Sequence, residues 1–496
     1  MSENPAVEVV ERGGLYELRG ELRPSSLYND DLAPTRIEQR TWGVWNIAAL
    51  WIGMSVCIPT YMLASFMIRA GFHWWEAMLL ILSGNLIVLA PMMVNAHAGT
   101  KYGIPFPVYL RSAFGLKGAN VPAILRAGVA CGWFGIQTWI GGKAIGDLVV
   151  LMLPSAASLN ATFLGITLLY WLSFLGFWAV NMWIVWRGVD SIKWLESFSA
   201  PFLLLIGAAL LAWALKKGID HGGVGKLFDV VAVKGAKRPG PLDYFGWLTA
   251  MVGYWATLSL NIPDFTRFAK SQRDQMLGQL LGLPTTMVAF SMIGVLVTSA
   301  TVLVFGRAIA DPVELVKVLS TGPGGRLLGP IALFALAIAT LSTNIAANVV
   351  SPANDISNLA PNRVSFRTAG MITGVIGIVI LPWKLLDVYQ GWLVTYSGLL
   401  GAVGGVIVAH YLVIERCQLA LAELYSAESR YRYSGGFNIT AIVSLFVGIA
   451  IPLVGRVVSA LAFLFAGGWF FSFITAFVVY IGLTNARSRS PKRRTP

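Results

Sequence analysis

Residues 53–59 read GMSVCIP and place a glycine and a proline in the middle of a long apolar run. Proline has no backbone N–H, and its ring clashes with the preceding turn of a helix, so a helix through this run loses a hydrogen bond near Pro59. We therefore expect the helix that contains this run to be interrupted near its midpoint.

The whole chain shares the apolar character of this run. It has 496 residues, of which 56% are hydrophobic and 12% charged, and its mean hydropathy is +0.68. A water-soluble core cannot bury that much apolar surface, so lipid must be the main solvent of this all-α protein. Runs of roughly 20 apolar residues predict about 12 membrane-spanning helices. Their centres lie near Ser55, Leu86, Gln137, Trp171, Ile206, Tyr254, Met287, Leu336, Gly374, Val403, Val447 and Phe471.

The spans form one predicted membrane domain, residues 41–485, because no linker or stretch of soluble-domain length separates them. Residues 1–40 form a polar tail and residues 486–496 a basic tail. Lysine and arginine are more frequent in the tails and loops on the amino-terminal side, which predicts a plasma-membrane protein with both termini in the cytoplasm. The apolar runs are too many for a cleaved signal peptide.

The sixth predicted span carries a second set of helix-breaking residues. Gly246 and Gly253 precede Pro263 in this span, five spans after the first interruption. Interrupted helices in corresponding positions are typical of inverted-repeat transporters that bind their substrate at the membrane midplane. Glycine and proline are also common in spanning helices in general, so the pattern alone leaves that simpler reading open.

The third span contains an aromatic ring and an amide on one helical face, Trp133 and Gln137, which are four residues apart. A buried amide is costly in hydrocarbon unless it is paired, so Gln137 must face another helix or a wet cavity. The two alternatives are a contact that joins helices and a contact with a substrate.

The eighth span concentrates hydroxyls and amides without any formal charge, from Thr340 to Asn348. Sodium prefers hard oxygen ligands, and Ser342 and Thr343 could join carbonyls freed at the first interruption to surround a small cation. The alternative is that these hydroxyls bond to carbonyls of their own helix or pack on a neighbouring helix.

Charged groups within the spans are few. Lys143 and Asp147 are four residues apart and are expected to pair with each other. Asp264 with Arg267 lies at the inner end of the sixth span, and Asp355 follows the eighth. Such residues either serve as gates that open and close a pathway or form structural contacts between helices and loops.

The sequence contains little that supports other functional classes. The four histidines are scattered and no metalloprotease, P-loop or hydrolase motif is present, so we do not expect an enzyme. The three cysteines, Cys57, Cys131 and Cys417, have no metal-binding spacing. The net charge of +13 is spread over short loops and the tails, which fits anionic lipid headgroups better than nucleic acid. A pore would show filter-like loops or charged rings, and neither appears.

Three motifs together resemble those of the nucleobase:cation symport family, which includes hydantoin, allantoin, cytosine and uracil permeases. They are NDDLAPT at 29–35 with RTW at 40–42, GWFGIQTW at 132–139, and STNIAAN at 342–348 with SP at 351–352. The resemblance implies two inverted five-helix repeats, as in leucine-transporter-like proteins, plus two C-terminal helices. It also implies that a substrate ring stacks between Trp133 and Trp255 and bonds to Gln137 and Asn348, whose amides offer both donors and acceptors.

The same resemblance implies a sodium site. Its ligands would be the carbonyls of Gly53, Val56 and Ala339 with the hydroxyls of Ser342 and Thr343.

Two positions depart from the family pattern. Cys57 and Tyr254 stand where a sodium-coupled hydantoin carrier of this family has glutamine and glycine, and we expect both to contact the substrate. The run 22–28, LRPSSLY, is more similar to the uracil, dihydropyrimidine and allantoin members.

The sequence thus predicts a symporter without a cofactor that imports a neutral uracil-like ring or cyclic ureide, such as hydantoin or allantoin, with a cation, sodium being favoured. The alternatives are a proton-coupled carrier for cytosine, a purine or a B vitamin, and a receptor that does not transport.

Overall fold

The computed structural model describes residues 8–20, 25–187, 189–229, 237–322 and 325–489. The chain begins with an antiparallel hairpin in which Glu8 pairs with Arg19. Its strands are β1 (Glu8–Arg12) and β2 (Leu15–Arg19).

The first five predicted spans fold as helices. They are α1 (Val44–Ser55) with α2 (Ile58–Arg69), then α3 (Trp74–Tyr102), the short α4 (Phe106–Phe114), α5 (Asn120–Met152), α6 (Leu168–Arg187) and α7 (Val189–Asp220). A two-residue hairpin of β3 (Thr162–Phe163) and β4 (Ile166–Thr167) lies between α5 and α6.

The next five spans repeat this arrangement. They comprise α8 (Pro241–Tyr254) with α9 (Ala256–Asn261) and α10 (Pro263–Thr266), α11 (Gln272–Phe305), the short α12 (Pro312–Leu319), α13 (Gly325–Asn348) with α14 (Val350–Ser357), α15 (Phe366–Val379), the short α16 (Pro382–Asp387) and α17 (Tyr389–Val408). A π-helical segment, Ala409–Ile414, continues α17. The last two spans are α18 (Ile439–Val457) and α20 (Gly468–Arg489), with the short α19 (Ala462–Ala466) between them.

All twelve predicted centres lie within these helices. Among the described residues, seven helices are long and apolar enough to cross a membrane alone, and α1 with α2 forms an eighth, bent span. The other four predicted spans correspond to α5, which carries Arg126, Lys143 and Asp147, to α7, to the 14-residue α15 and to the broken sixth span.

The order of the elements shows the internal repeat. The first span of each half is broken, as α1/α2 and α8/α9, and one short helix, α4 or α12, follows the second span of each half. Between the halves, α5 packs along α13 and α1 along α11. This packing brings the broken spans next to the polar stretch of the eighth span.

The polar segment before α1 packs on the bundle. The buried guanidinium of Arg40 donates to the carbonyl oxygens of Thr35 at 2.9 Å and Thr100 at 2.8 Å. Burial lowers the pKa of Arg40 to about 10, so the group stays charged at neutral pH. Tyr425 donates to the Leu32 carbonyl at 2.8 Å. Part of the 22–28 run and most of the basic tail lie outside the described residues.

Candidate functional site

The first span is interrupted where the sequence predicts. α1 ends at Ser55, α2 begins at Ile58, and the two axes differ in direction by 57°. The N–H of Cys57 donates to the carbonyl of Ser55 at 3.0 Å instead of the Gly53 carbonyl four residues back. Pro59 lies in the first turn of α2, where its missing N–H costs no helical hydrogen bond. The last carbonyls of α1 are thereby released from the helix.

The sixth span is interrupted at Trp255. α8 ends at Tyr254 and α9 begins at Ala256, while Trp255 between them has φ −105° and ψ 7°, outside the α-helical region. The two interruptions face one cavity, as expected for an inverted repeat.

This cavity lies between four spans, the first, third, sixth and eighth. It is lined by Met54, Cys57, Trp133, Gln137, Tyr254, Trp255, Thr257, Leu258, Ala347 and Asn348. None of the lining residues that the structure describes has a charged side chain. The cavity has a volume of about 20 Å³, room for about one water molecule. All six residues predicted to contact the substrate line this cavity.

Trp133 lies at the centre of an aromatic cluster. Its ring makes edge contacts with Tyr254 at 5.1 Å and Trp392 at 4.9 Å between centroids. Its indole N–H donates to the hydroxyl of Tyr396 at 3.2 Å. These contacts hold the indole in one orientation against the cavity.

Tyr254 joins the two broken spans. Its hydroxyl lies 2.9 Å from the Thr60 hydroxyl and 3.3 Å from the Cys57 sulfur. Cys57 and Tyr254 therefore act as one unit, a tyrosine that fills one edge of the cavity and a thiol that helps to hold it.

The two amides present opposite hydrogen-bonding groups. The Gln137 carbonyl oxygen accepts from the Thr343 hydroxyl at 3.0 Å, which leaves its NH₂ group for another partner. The Asn348 NH₂ group donates to Asn344 at 3.0 Å, which leaves the Asn348 carbonyl oxygen as an acceptor. A ring with one carbonyl and one N–H would match this pair.

Comparison with known proteins agrees with this architecture. Residues 34–472 match the family described as permeases for cytosine/purines, uracil, thiamine and allantoin. The chain belongs to this permease family. It is therefore a multi-pass membrane transporter and not an enzyme.

Named relatives cover most of the chain. The purine-uracil permease NCS1 of Arabidopsis thaliana is 43% identical over 92% of this chain and 77% of its own length. The allantoin permease of Bacillus subtilis (strain 168) is 37% identical over 92% of this chain and 93% of its own.

A solved structure shows the same fold. Mhp1, a nucleobase-cation-symport-1 family transporter in a closed conformation with bromovinylhydantoin bound, superimposes with a TM-score of 0.77. The match covers 94% of this chain and 97% of that chain at 24% identity. The predicted fold of two inverted five-helix repeats plus two helices is confirmed.

One predicted ion pair of this permease is wrong. Lys143 pairs with Asp311, and Asp147 accepts from Lys317 at 2.6 Å and from the Tyr170 hydroxyl at 2.6 Å. No local pattern indicates that the short helix α12 places opposite charges beside α5, so helical spacing alone favoured partners on α5 itself.

The other charged groups within or beside the spans also have partners in the described structure. Asp264 accepts from the backbone N–H of Phe106 at 2.8 Å and from the Ser351 hydroxyl. Arg267 instead donates to the Asp31 carbonyl at 3.3 Å. Asp355 lies inside α14 and pairs with Arg126 at 2.9 Å.

Sequence reasoning missed several residues around the permease site. Thr257 and Leu258 line the cavity, Thr60 holds Tyr254, and Tyr396 and Trp392 hold Trp133. The residues of α17 carry no local signal, because only the packing of the tenth span against the third brings them to the site.

Proposed function

We propose that the protein is a secondary active symporter that imports a neutral planar nucleobase or cyclic ureide, such as uracil, dihydropyrimidine, hydantoin or allantoin, together with a cation. The observation that carries this proposal is the uncharged cavity between the two broken spans, with tryptophans and amides in its walls.

The walls of the cavity favour a neutral ring. An ionised carboxylate or phosphate would need a cationic partner, and the lining residues offer none in the described structure. Trp133 and Trp255 provide flat apolar surfaces for a planar ring. The free NH₂ of Gln137 and the free oxygen of Asn348 fit the carbonyl and N–H groups of an imide or ureide.

The proposed cation is sodium, held by the carbonyls of Gly53, Val56 and Ala339 and the hydroxyls of Ser342 and Thr343. The hydrogen bond from Cys57 to Ser55 leaves the Gly53 carbonyl without its usual helical donor. Ser342 and Thr343 are buried on the neighbouring α13. A set of five oxygen atoms without a formal charge suits a monovalent cation of this size.

The proposed cycle is alternating access across the plasma membrane with both termini in the cytoplasm. The cation orders the break between α1 and α2 against α13, the ring stacks on Trp133 and Trp255, and one bundle rocks against the other. Coupling follows if the cation binds more tightly to the conformation that also binds the ring.

Uptake into proteoliposomes tests the proposal. Labelled uracil, hydantoin and allantoin would each be offered with an inward sodium gradient, an inward proton gradient or no gradient. We expect one ring to accumulate with sodium only, and the double change Ser342→Ala with Thr343→Ala to remove this dependence. Proton-driven uptake would overturn the sodium site but keep the carrier. Absence of uptake and of counterflow for every ring, including purines and cytosine, would favour a receptor.

A further inference from the structure

The hydroxyl of Thr343 has two kinds of acceptor within reach. It lies 3.0 Å from the side-chain oxygen of Gln137, 3.2 Å from the Ala339 carbonyl and 3.3 Å from the Thr340 carbonyl. A hydroxyl has one proton, so it favours one of these acceptors at a time. Gln137 belongs to the ring site, and Ala339 to the proposed cation site.

A cation would decide between these acceptors. A cation bound to the Ala339 carbonyl and to the Thr343 oxygen repels the hydroxyl proton, because like charges repel at short range. The proton would then turn away from the cation, and the nearest acceptor left to it is the Gln137 side-chain oxygen at 3.0 Å.

We propose that the hydrogen bond from Thr343 to Gln137 is a relay that couples cation binding to substrate binding. It rests on the symport function proposed above. With the cation bound, the Thr343 proton fixes the Gln137 oxygen, and the Gln137 NH₂ group is presented to a carbonyl of the ring. Without the cation, the proton returns to the carbonyls of α13, and the Gln137 amide loses the bond that sets its orientation.

The relay works in both directions. A ring that binds the Gln137 NH₂ group stabilises the same orientation of the amide and so favours the cation-bound state of Thr343. Thermodynamic linkage requires the two effects to be equal in free energy.

Asn348 provides a matched comparison within the same cavity. Its NH₂ group is held by Asn344, and Asn344 in turn donates to Thr138 at 3.0 Å, so Asn348 is oriented without Thr343. Both amides are buried and both face the ring site, but only Gln137 accepts from a proposed cation ligand.

Binding of radioactive sodium to the purified full-length protein, in the absence of any ring, tests the relay. Gln137→Met removes the acceptor at similar volume, and we expect sodium affinity to fall about tenfold, the scale of one hydrogen bond. Asn348→Leu is expected to leave sodium affinity within about twofold, although both variants weaken ring binding. Equal sodium affinities in the unchanged protein and Gln137→Met would overturn the relay.

Three further variants distinguish the relay from a general loss of folding. Gln137→Glu keeps an acceptor oxygen, so sodium should bind at least as tightly as in the unchanged protein while the ring binds less well. Thr343→Ser keeps the hydroxyl and should retain sodium-dependent ring binding, whereas Thr343→Val should lose it. Weaker sodium binding in Gln137→Glu would contradict the relay. If the unchanged protein binds the ring but no sodium, the cation assignment fails and the relay fails with it.

Discussion

Lys143 and Asp147 lie one turn apart on α5 and form ion pairs with the two ends of α12. Lys143 pairs with Asp311, which precedes the first turn of α12, and Asp147 pairs with Lys317 in its last turn. The two pairs have opposite polarity along the helix. They therefore hold α12 in one direction and one register against α5.

Removal of Lys317 is expected to destabilise the protein more than removal of Lys143. In Lys317→Met, the carboxylate of Asp147, which is 1% exposed, would keep only the Tyr170 hydroxyl as a partner. In Lys143→Met, the carboxylate of Asp311 is 21% exposed and still accepts from the Val313 N–H. Because Lys317 is itself partly exposed, we expect a loss of about 1–2 kcal/mol, below the range for fully buried pairs. Thermal unfolding in detergent measures the difference.

The double variant Asp147→Asn with Lys317→Met is the control for this prediction. Once the carboxylate is neutral, the loss of its partner should cost less than the sum of the single changes. Additive losses would indicate that the two groups do not interact in solution.

The fold was largely predictable from the sequence because the membrane restricts the possible structures. Apolar runs of the right length must become helices in lipid, where every backbone polar group needs a partner within the segment. The two helix breaks, near Pro59 and at Trp255, were predictable from the glycine and proline residues around them.

The partners of side chains were less predictable. The interpretation of Lys143 with Asp147 used the neighbours that a helix provides, but the actual partners come from α12, about 170 residues away in the chain. Tyr396 and Trp392 were not predicted for the same reason, because their contacts with Trp133 join helices that are distant in the chain. Trp133 and Gln137 were found from their shared helical face, Trp255 and Asn348 came from the family resemblance, and the cavity brings all four together.

Trp133 is expected to contribute stacking energy to ring binding. Trp133→Ala should weaken binding by about 1–3 kcal/mol, roughly 5- to 150-fold, the range for stacking of a base on an aromatic side chain. Equilibrium binding of the transported ring measures this loss. Trp183→Ala is the matched control, because Trp183 is 58% exposed on the surface of α6 and should have no effect. A similar loss in both variants would point to general destabilisation.

Tyr254 is expected to limit the size of the substrate. Its ring fills one edge of a cavity of about 20 Å³, and its hydroxyl is held by Thr60 and Cys57. Tyr254→Gly should allow uptake of hydantoins with a bulky substituent on the ring, measured as the ratio of 5-benzylhydantoin to hydantoin uptake. Tyr254→Phe keeps the ring volume and should keep the original ratio. An unchanged ratio in Tyr254→Gly, with hydantoin still transported, would contradict this role.

Cys57 is expected to report on occupancy of the site. The thiol lines the cavity, so alkylation by N-ethylmaleimide in an open conformation should add a group that blocks the ring and stops uptake. Cys57→Ala should retain enough uptake to be measured and become resistant, although Cys131 and Cys417 remain. Excess substrate should slow the inactivation of the unchanged protein. Continued sensitivity of Cys57→Ala would place the reactive thiol elsewhere.

Arg126 and Asp355 form a buried ion pair that joins α5 to α14. Removal of the pair tests whether it only stabilises the fold or also takes part in transport. Both side chains are at most 1% exposed, and two guanidinium nitrogens and one carboxylate oxygen have no partner among the described residues. Arg126→Met alone leaves a buried carboxylate without its partner and should cost about 3–5 kcal/mol. The double change to Arg126→Met with Asp355→Leu removes both desolvated charges, so thermal stability in detergent should recover. If uptake also recovers, the pair only holds the helices together; if the double variant is stable but inactive, the charges take part in the transport cycle.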